Sequence, residues 1–285
     1  MENGFLRIFW RLLVHTYYEW DRDNASQLGA ALAYYTIFSM APILLVATAM
    51  AGIFLGRQAA EGRIVAEISG LIGQSSAQMI QTMVQNAWKP AQGIVATVIG
   101  VATLFLGATA AFVQMQTAFN IIWEKGPQSR PIWSLLKDRF LSFAMVLCTG
   151  FLLLATLVIS AWLSALGKLF QTSFPITAQL MDALLSFIAI GILFALIYKI
   201  LPPIEQRWRE VWPAAVLCSA LFSLGKFLIA FYIARSAFTS TFGAAASLAI
   251  LLTWIYYSAQ IFLFGAEFTE VYSRYKRTGT FERRT

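Results

Sequence analysis

Few side chains in this 285-residue sequence could do acid–base, nucleophilic or metal chemistry. The one histidine, His15, sits in a charged, amphipathic N-terminal stretch. Zinc hydrolases and metal-dependent nucleases draw on several His, Asp or Cys ligands, so no metal site is expected. Cys148 and Cys218 both fall in apolar tracts far apart in the chain. They read as buried thiols rather than as a disulfide. No GxxxxGK(S/T) loop is present, which removes the signature of a nucleotide-driven pump. The sequence therefore predicts no catalytic residues and no cofactor.

What remains is a set of polar residues inside otherwise apolar runs. Gly93, Ala96, Gly100, Thr103, Gly107, Ala110, Gln114 and Thr117 recur at three- and four-residue intervals on one helical stripe. The glycines are read as helix-packing positions that let a neighbour approach closely. Thr253, Tyr256, Gln260 and Glu267 share a second face, and Tyr34 and Ser39 precede Pro42 on a third. Proline in a helix interior frees one carbonyl, so a kink is expected at Pro42. Lys226 is the charge within the apolar run that ends near Ala234. Such a lysine costs roughly 3 kcal/mol on insertion scales. It either snorkels to an interface or faces the bundle interior. Together these residues are the expected intramembrane polar path, with Tyr34, Gln114, Lys226 and Gln260 converging on one cavity.

The elements that must position them follow from composition. Hydrophobic residues make up 59% of the chain and charged ones 12%, about half the charge a soluble protein carries. The tract Ala25–Gly56 contains no Asp, Glu, Lys or Arg, and it exceeds the roughly 20 residues that cross a bilayer as a helix. The reading is an all-α polytopic membrane protein. Six spans are expected, at about 28–55, 91–123, 140–167, 183–201, 211–234 and 244–266. They form a single domain, with an outer amphipathic segment over 56–90 and a cytoplasmic tail over 267–285.

Lys and Arg set the orientation. Placing both termini in the cytoplasm leaves fifteen basic residues in the inner segments and five in the outer ones. The net charge of +7 is then chiefly a topology signal, with attraction to anionic lipid headgroups at the inner face and no role for nucleic acid. Phe5, Ile8, Phe9, Leu12 and Leu13 line one face of the first twenty residues, and Arg7 and Arg11 another. This predicts an interfacial helix on the inner leaflet. Arg7 and Arg11 also interrupt the first apolar run, so no cleavable signal peptide is expected. In the outer segment, Gly70 and Gly73 predict a break between two short amphipathic helices that cap the spans. Trp88, Trp123, Trp133, Trp208 and Trp212 are expected as interfacial anchors.

Three stretches together resemble the YihY/virulence factor BrkB family of bacterial inner-membrane proteins. They are ASQLGAALAYYTIFSMAPILL (25–45), YKILPPIEQRWREVWPAAVLCSALFSLGKFLIAFYI (198–233) and STFGAAASLAILLTWIYYSAQIFLFGAEFTEVY (240–272). The resemblance implies a multi-pass protein of the cell envelope and supplies no catalytic residues. Some members have carried the label ribonuclease BN, but a single histidine leaves no metal site for phosphodiester hydrolysis here. The expected role is transport or translocation of a lipid or other amphiphile. The rival is a scaffold that organises envelope protein partners.

Overall fold

The computed structural model describes residues 2–55, 73–87, 110–124, 175–235 and 238–280, together with 61–62, 65–66 and 69. These comprise α1 (Glu2–Arg22), α2 (Ala25–Leu55), α3 (Gln74–Ala87), α4 (Pro175–Ile200), α5 (Trp208–Arg235) and α6 (Phe238–Thr278), with residues 110–122 also helical. No strand occurs among the described residues. The expected third span, 140–167, lies outside them, as do Gly93, Gly100 and Gly107.

Three of the boundaries have a local cause. Asn24 takes a left-handed backbone, φ 51°, and turns the chain from α1 into α2. That conformation is tolerated by asparagine far better than by branched residues. Gly73, at φ 84°, starts α3 at the break that the glycines predicted. α5 opens with a capping arrangement: the Arg207 N–H donates to Glu210 Oε2 at 3.1 Å, and the Glu210 N–H donates to the Arg207 carbonyl at 2.8 Å. Lys199 Nζ donates to the Gln206 carbonyl, closing the short turn between α4 and α5. α2 is helical without interruption through Pro42.

α6 is the axis of the described structure. It packs against α1, α2, α3 and α5, and α4 pairs with α5 as an antiparallel hairpin. Its 41 residues would extend about 60 Å, twice the roughly 30 Å of a bilayer's hydrocarbon core. Among the described residues, Trp208–Ile229 and Ala246–Thr278 are long and apolar enough to cross a membrane, and Ser186–Ile200 is a shorter apolar run.

Two sequence expectations meet a different arrangement. Residues 267–278, read as the start of a tail, continue α6, and Phe268, Thr269, Val271 and Ser273 are buried. The amphipathic face of α1 that includes Phe9, Leu12 and Leu13 packs into the main core, with Phe9 6.4 Å from the Phe268 ring. The sequence had turned that face towards lipid. A protein surface has claimed it instead, because the basal end of α6 offers an apolar partner within reach.

Candidate functional site

A tightly packed cluster among the described residues joins α4, α5 and α6. Tyr198 is fully buried and donates its hydroxyl to the Phe262 carbonyl at 2.8 Å. Its oxygen lies 3.3 Å from Cys218 Sγ, which approaches the Ile261 carbonyl at 3.5 Å. Gly265 makes the approach possible, since a Cβ there would overlap both the Cys218 sulfur and the Tyr198 hydroxyl. Phe119, from the helical segment 110–122, packs edge-on to Phe262 at 5.5 Å and stacks on Trp123 at 5.1 Å. Trp123 is therefore an interior packing residue, not the boundary anchor expected from its position. Two further bonds run along the same helices. Ser219 donates to the Phe187 carbonyl at 2.7 Å, and Tyr257 donates to the Leu221 carbonyl at 3.0 Å. Chemically this knot is a set of donors on backbone acceptors, with no nucleophile–base pair.

The expected polar path divides into three groups. Ser39, Thr117 and Thr253 donate to the carbonyls four residues earlier, those of Tyr35, Val113 and Ala249, at 2.8–2.9 Å. Each hydroxyl is satisfied on its own helix and needs no cavity. Tyr34 and Tyr256 are 58% and 38% exposed, part-way along α2 and α6. Gln260 is drawn inward: its Nε2 donates to the Ser26 carbonyl at 3.2 Å and its amide rests on Gly29, where a Cβ would push the amide aside. Its Oε1 is buried and accepts no hydrogen bond. Gln114 and Lys226 are half-buried. Among the described residues, no hydrogen bond or ion pair joins Tyr34, Gln114, Lys226 and Gln260 to one another. Glu267 is fully buried, almost two turns beyond Gln260 on α6.

At the basal end α1 is held by charge as well as by apolar contact. Arg274 Nη2 lies 2.9 Å from Glu19 Oε1 and 3.6 Å from Glu270 Oε2. Arg22 reaches Glu19 at 2.9 Å and Glu124 at 3.3 Å. Three separated parts of the chain thus meet in one ionic clasp. Among the described residues, no group of three or more His, Cys, Asp or Glu could hold a metal ion.

A family model described as virulence factor BrkB matches residues 16–284. The chain belongs to that family. Similar curated proteins include UPF0761 membrane proteins from several bacteria. The one from Ralstonia nicotianae is 28% identical over 250 residues, covering 86% of this chain and 54% of the relative. The one from Aeromonas salmonicida is 26% identical over 267 residues, covering 90% and 88%. The one from Halorhodospira halophila is 28% identical over 264 residues, covering 91% and 56%. The chain thus spans just over half the length of the first and third relatives. No solved structure matches it. These names describe membrane proteins and state no reaction, in keeping with the all-helical, apolar structure.

Sequence reasoning missed the clasp and the knot for different reasons. Glu270 and Arg274 stand at i and i+4, and Glu19 and Arg22 at i and i+3, which are the spacings of helix-surface ion pairs. That signal was present, but nothing local announced that the two helices would meet. Tyr198, Cys218 and Gly265 carry no local signal as a group, being scattered over more than sixty residues.

Proposed function

We propose that this is a six-span protein of the bacterial inner membrane, with both termini cytoplasmic, that moves the headgroup of a lipid or similar amphiphile along a polar track beside α2 and α6. Two contacts support the placement in the bilayer. Ser76 of α3 meets the Ser247 carbonyl near one end of α6, and Phe9 of α1 meets Phe268 near the other. Twenty-one residues separate Ser247 from Phe268, which is about 31 Å of helix and close to one hydrocarbon thickness.

The observation that carries the reading is the exposure of Tyr34 and Tyr256 inside that slab. Tyr256 lies nine residues from Ser247 and twelve from Phe268, near the midplane. A phenolic hydroxyl facing hydrocarbon without a partner costs on the order of 2 kcal/mol or more. A passing polar headgroup would supply that partner. Thr253 continues the track outward, and Gln260, with its unfilled Oε1, ends it on the inner side.

The test is translocation of a fluorescent phospholipid across vesicles containing the purified protein. Wild type should raise the rate above protein-free vesicles, and Tyr34→Phe with Tyr256→Phe should return it towards that baseline without lowering protein abundance. A wild-type rate equal to the protein-free rate would refute the reading. The scaffold reading is favoured by one observation: Ser39, Thr117 and Thr253 are already satisfied by their own helices. It predicts no translocation and specific envelope proteins recovered by crosslinking.

A further inference from the structure

Docking of one α1 face onto α6 leaves the opposite face uncovered, and that face is not an ordinary solvated one. Trp10 is 67% exposed, Tyr17 58% and Tyr18 57%. At 3.6 residues per turn they form two adjoining rows. Trp10, Val14 and Tyr17 make one; Arg7, Arg11 and Tyr18 make the other, and both arginines are exposed. Aromatic rings beside guanidinium groups are what a helix presents to the headgroup layer of an anionic membrane.

A second element reaches the same level independently. Tyr257 meets the Leu221 carbonyl and Cys218 meets the Ile261 carbonyl, which fixes the antiparallel register of α5 on α6. Continuing that register places Trp208 and Trp212 level with residues 266–271, the level at which Phe9 touches Phe268. Both tryptophans are exposed, and so are Arg207 and Arg209. Two unconnected helices thus carry the same pairing of exposed tryptophan and arginine at one height. The ionic clasp also engages Arg22 and Arg274 with partners inside the protein, leaving Arg7 and Arg11 as outward basic residues of α1, with the exposed Asp21 one turn past Tyr17 and Tyr18.

We propose that the Trp10–Tyr17 and Arg7–Arg11 face of α1 binds the phosphodiester headgroups of an anionic phospholipid surface, with the ionic clasp holding the helix at that depth. The proposal does not depend on translocation, and a scaffold would need the same anchor. Neutral lipid satisfies the aromatic row only, so anionic lipid should dock α1 more firmly. At about 1 kcal/mol per basic residue near an anionic surface, the two arginines together are worth roughly thirtyfold in docked over undocked helix.

The experiment uses full-length protein carrying Tyr17→Cys and Cys148→Ser, with Cys218 buried and left in place. An environment-sensitive fluorophore is attached at position 17, and the protein is reconstituted in phosphatidylcholine vesicles with or without phosphatidylglycerol. The expected result is a blue-shifted component that grows with phosphatidylglycerol and shrinks with salt. Arg7→Gln with Arg11→Gln should abolish that dependence, whereas Arg7→Lys with Arg11→Lys should keep it. Identical spectra in the two vesicle types would overturn the proposal. So would a shift produced by inorganic phosphate in phosphatidylcholine vesicles, which marks a free-anion site. A shift that follows protein density rather than lipid charge would mark contact between copies and would overturn it too.

Discussion

The knot between α4, α5 and α6 and the clasp between α1 and α6 solve the same problem with different materials. In the knot, neutral donors on Tyr198, Cys218, Ser219 and Tyr257 all reach backbone carbonyls of a neighbouring helix. In the clasp, two arginines share carboxylates from three chain segments. A neutral hydroxyl can be buried in an apolar environment for the sake of one hydrogen bond. A charge cannot, unless it is paired and partly hydrated. The contrast follows depth along α6: neutral bonds where the axis is flanked by apolar helices, and ion pairs where it emerges.

The sharpest test of the knot is Gly265. Gly265→Leu drives a side chain into Cys218 and Tyr198, and it should cost more than about 4 kcal/mol, enough to abolish accumulation of folded protein. Gly265→Ala should cost about 1–3 kcal/mol, partly recovered by Cys218→Ala in the same chain, as read by thermal unfolding in detergent. Failure of both Cys218→Ala and Tyr198→Phe with Cys218→Ala to recover anything would mean that the close approach is not what Gly265 provides.

The clasp should break less completely and should respond to salt. Glu19→Ala is expected to lower stability by about 1–2 kcal/mol, less than for a fully buried pair because Arg274 keeps Glu270 and is partly exposed. High ionic strength should shrink the difference between wild type and variant. A double-mutant cycle with Arg274→Ala should return a coupling energy; a coupling of zero would reduce the clasp to a surface contact.

Smaller effects compare single hydrogen bonds. Tyr198→Phe removes one donor to a buried carbonyl and should cost about 1 kcal/mol, with no dependence on salt. Ser76→Ala should cost about 0.5–1 kcal/mol, read as faster proteolysis within α3, because that serine ties α3 to the Ser247 carbonyl. Thr253→Val should be nearly silent in stability, since the hydroxyl bonds its own helix. A large loss at Thr253 would show that the knot's logic of bonding between helices extends to the far half of α6.

The sequence by itself determined that this chain is helical and belongs in a membrane, because charge-free runs longer than a bilayer leave the backbone no other way to satisfy its polar groups. It also marked the break at Gly73 and the exposed tryptophans at the start of α5, both of which depend on one residue and its neighbours. Which face meets which helix was a different matter. Phe9 and Leu12 read as lipid-facing and pack on the core, while Trp10 and Tyr17 stand exposed. Glu270, read as part of the cytoplasmic tail, and Glu267, read both as the first residue of that tail and as a member of the polar path, are buried. Amphipathic periodicity tells that a helix has two faces but not whether lipid, water or protein will take each one. Only the tertiary structure decided that, because the choice depends on partners hundreds of residues away in the chain, such as Arg274 for Glu19, and on close approaches that a single glycine permits.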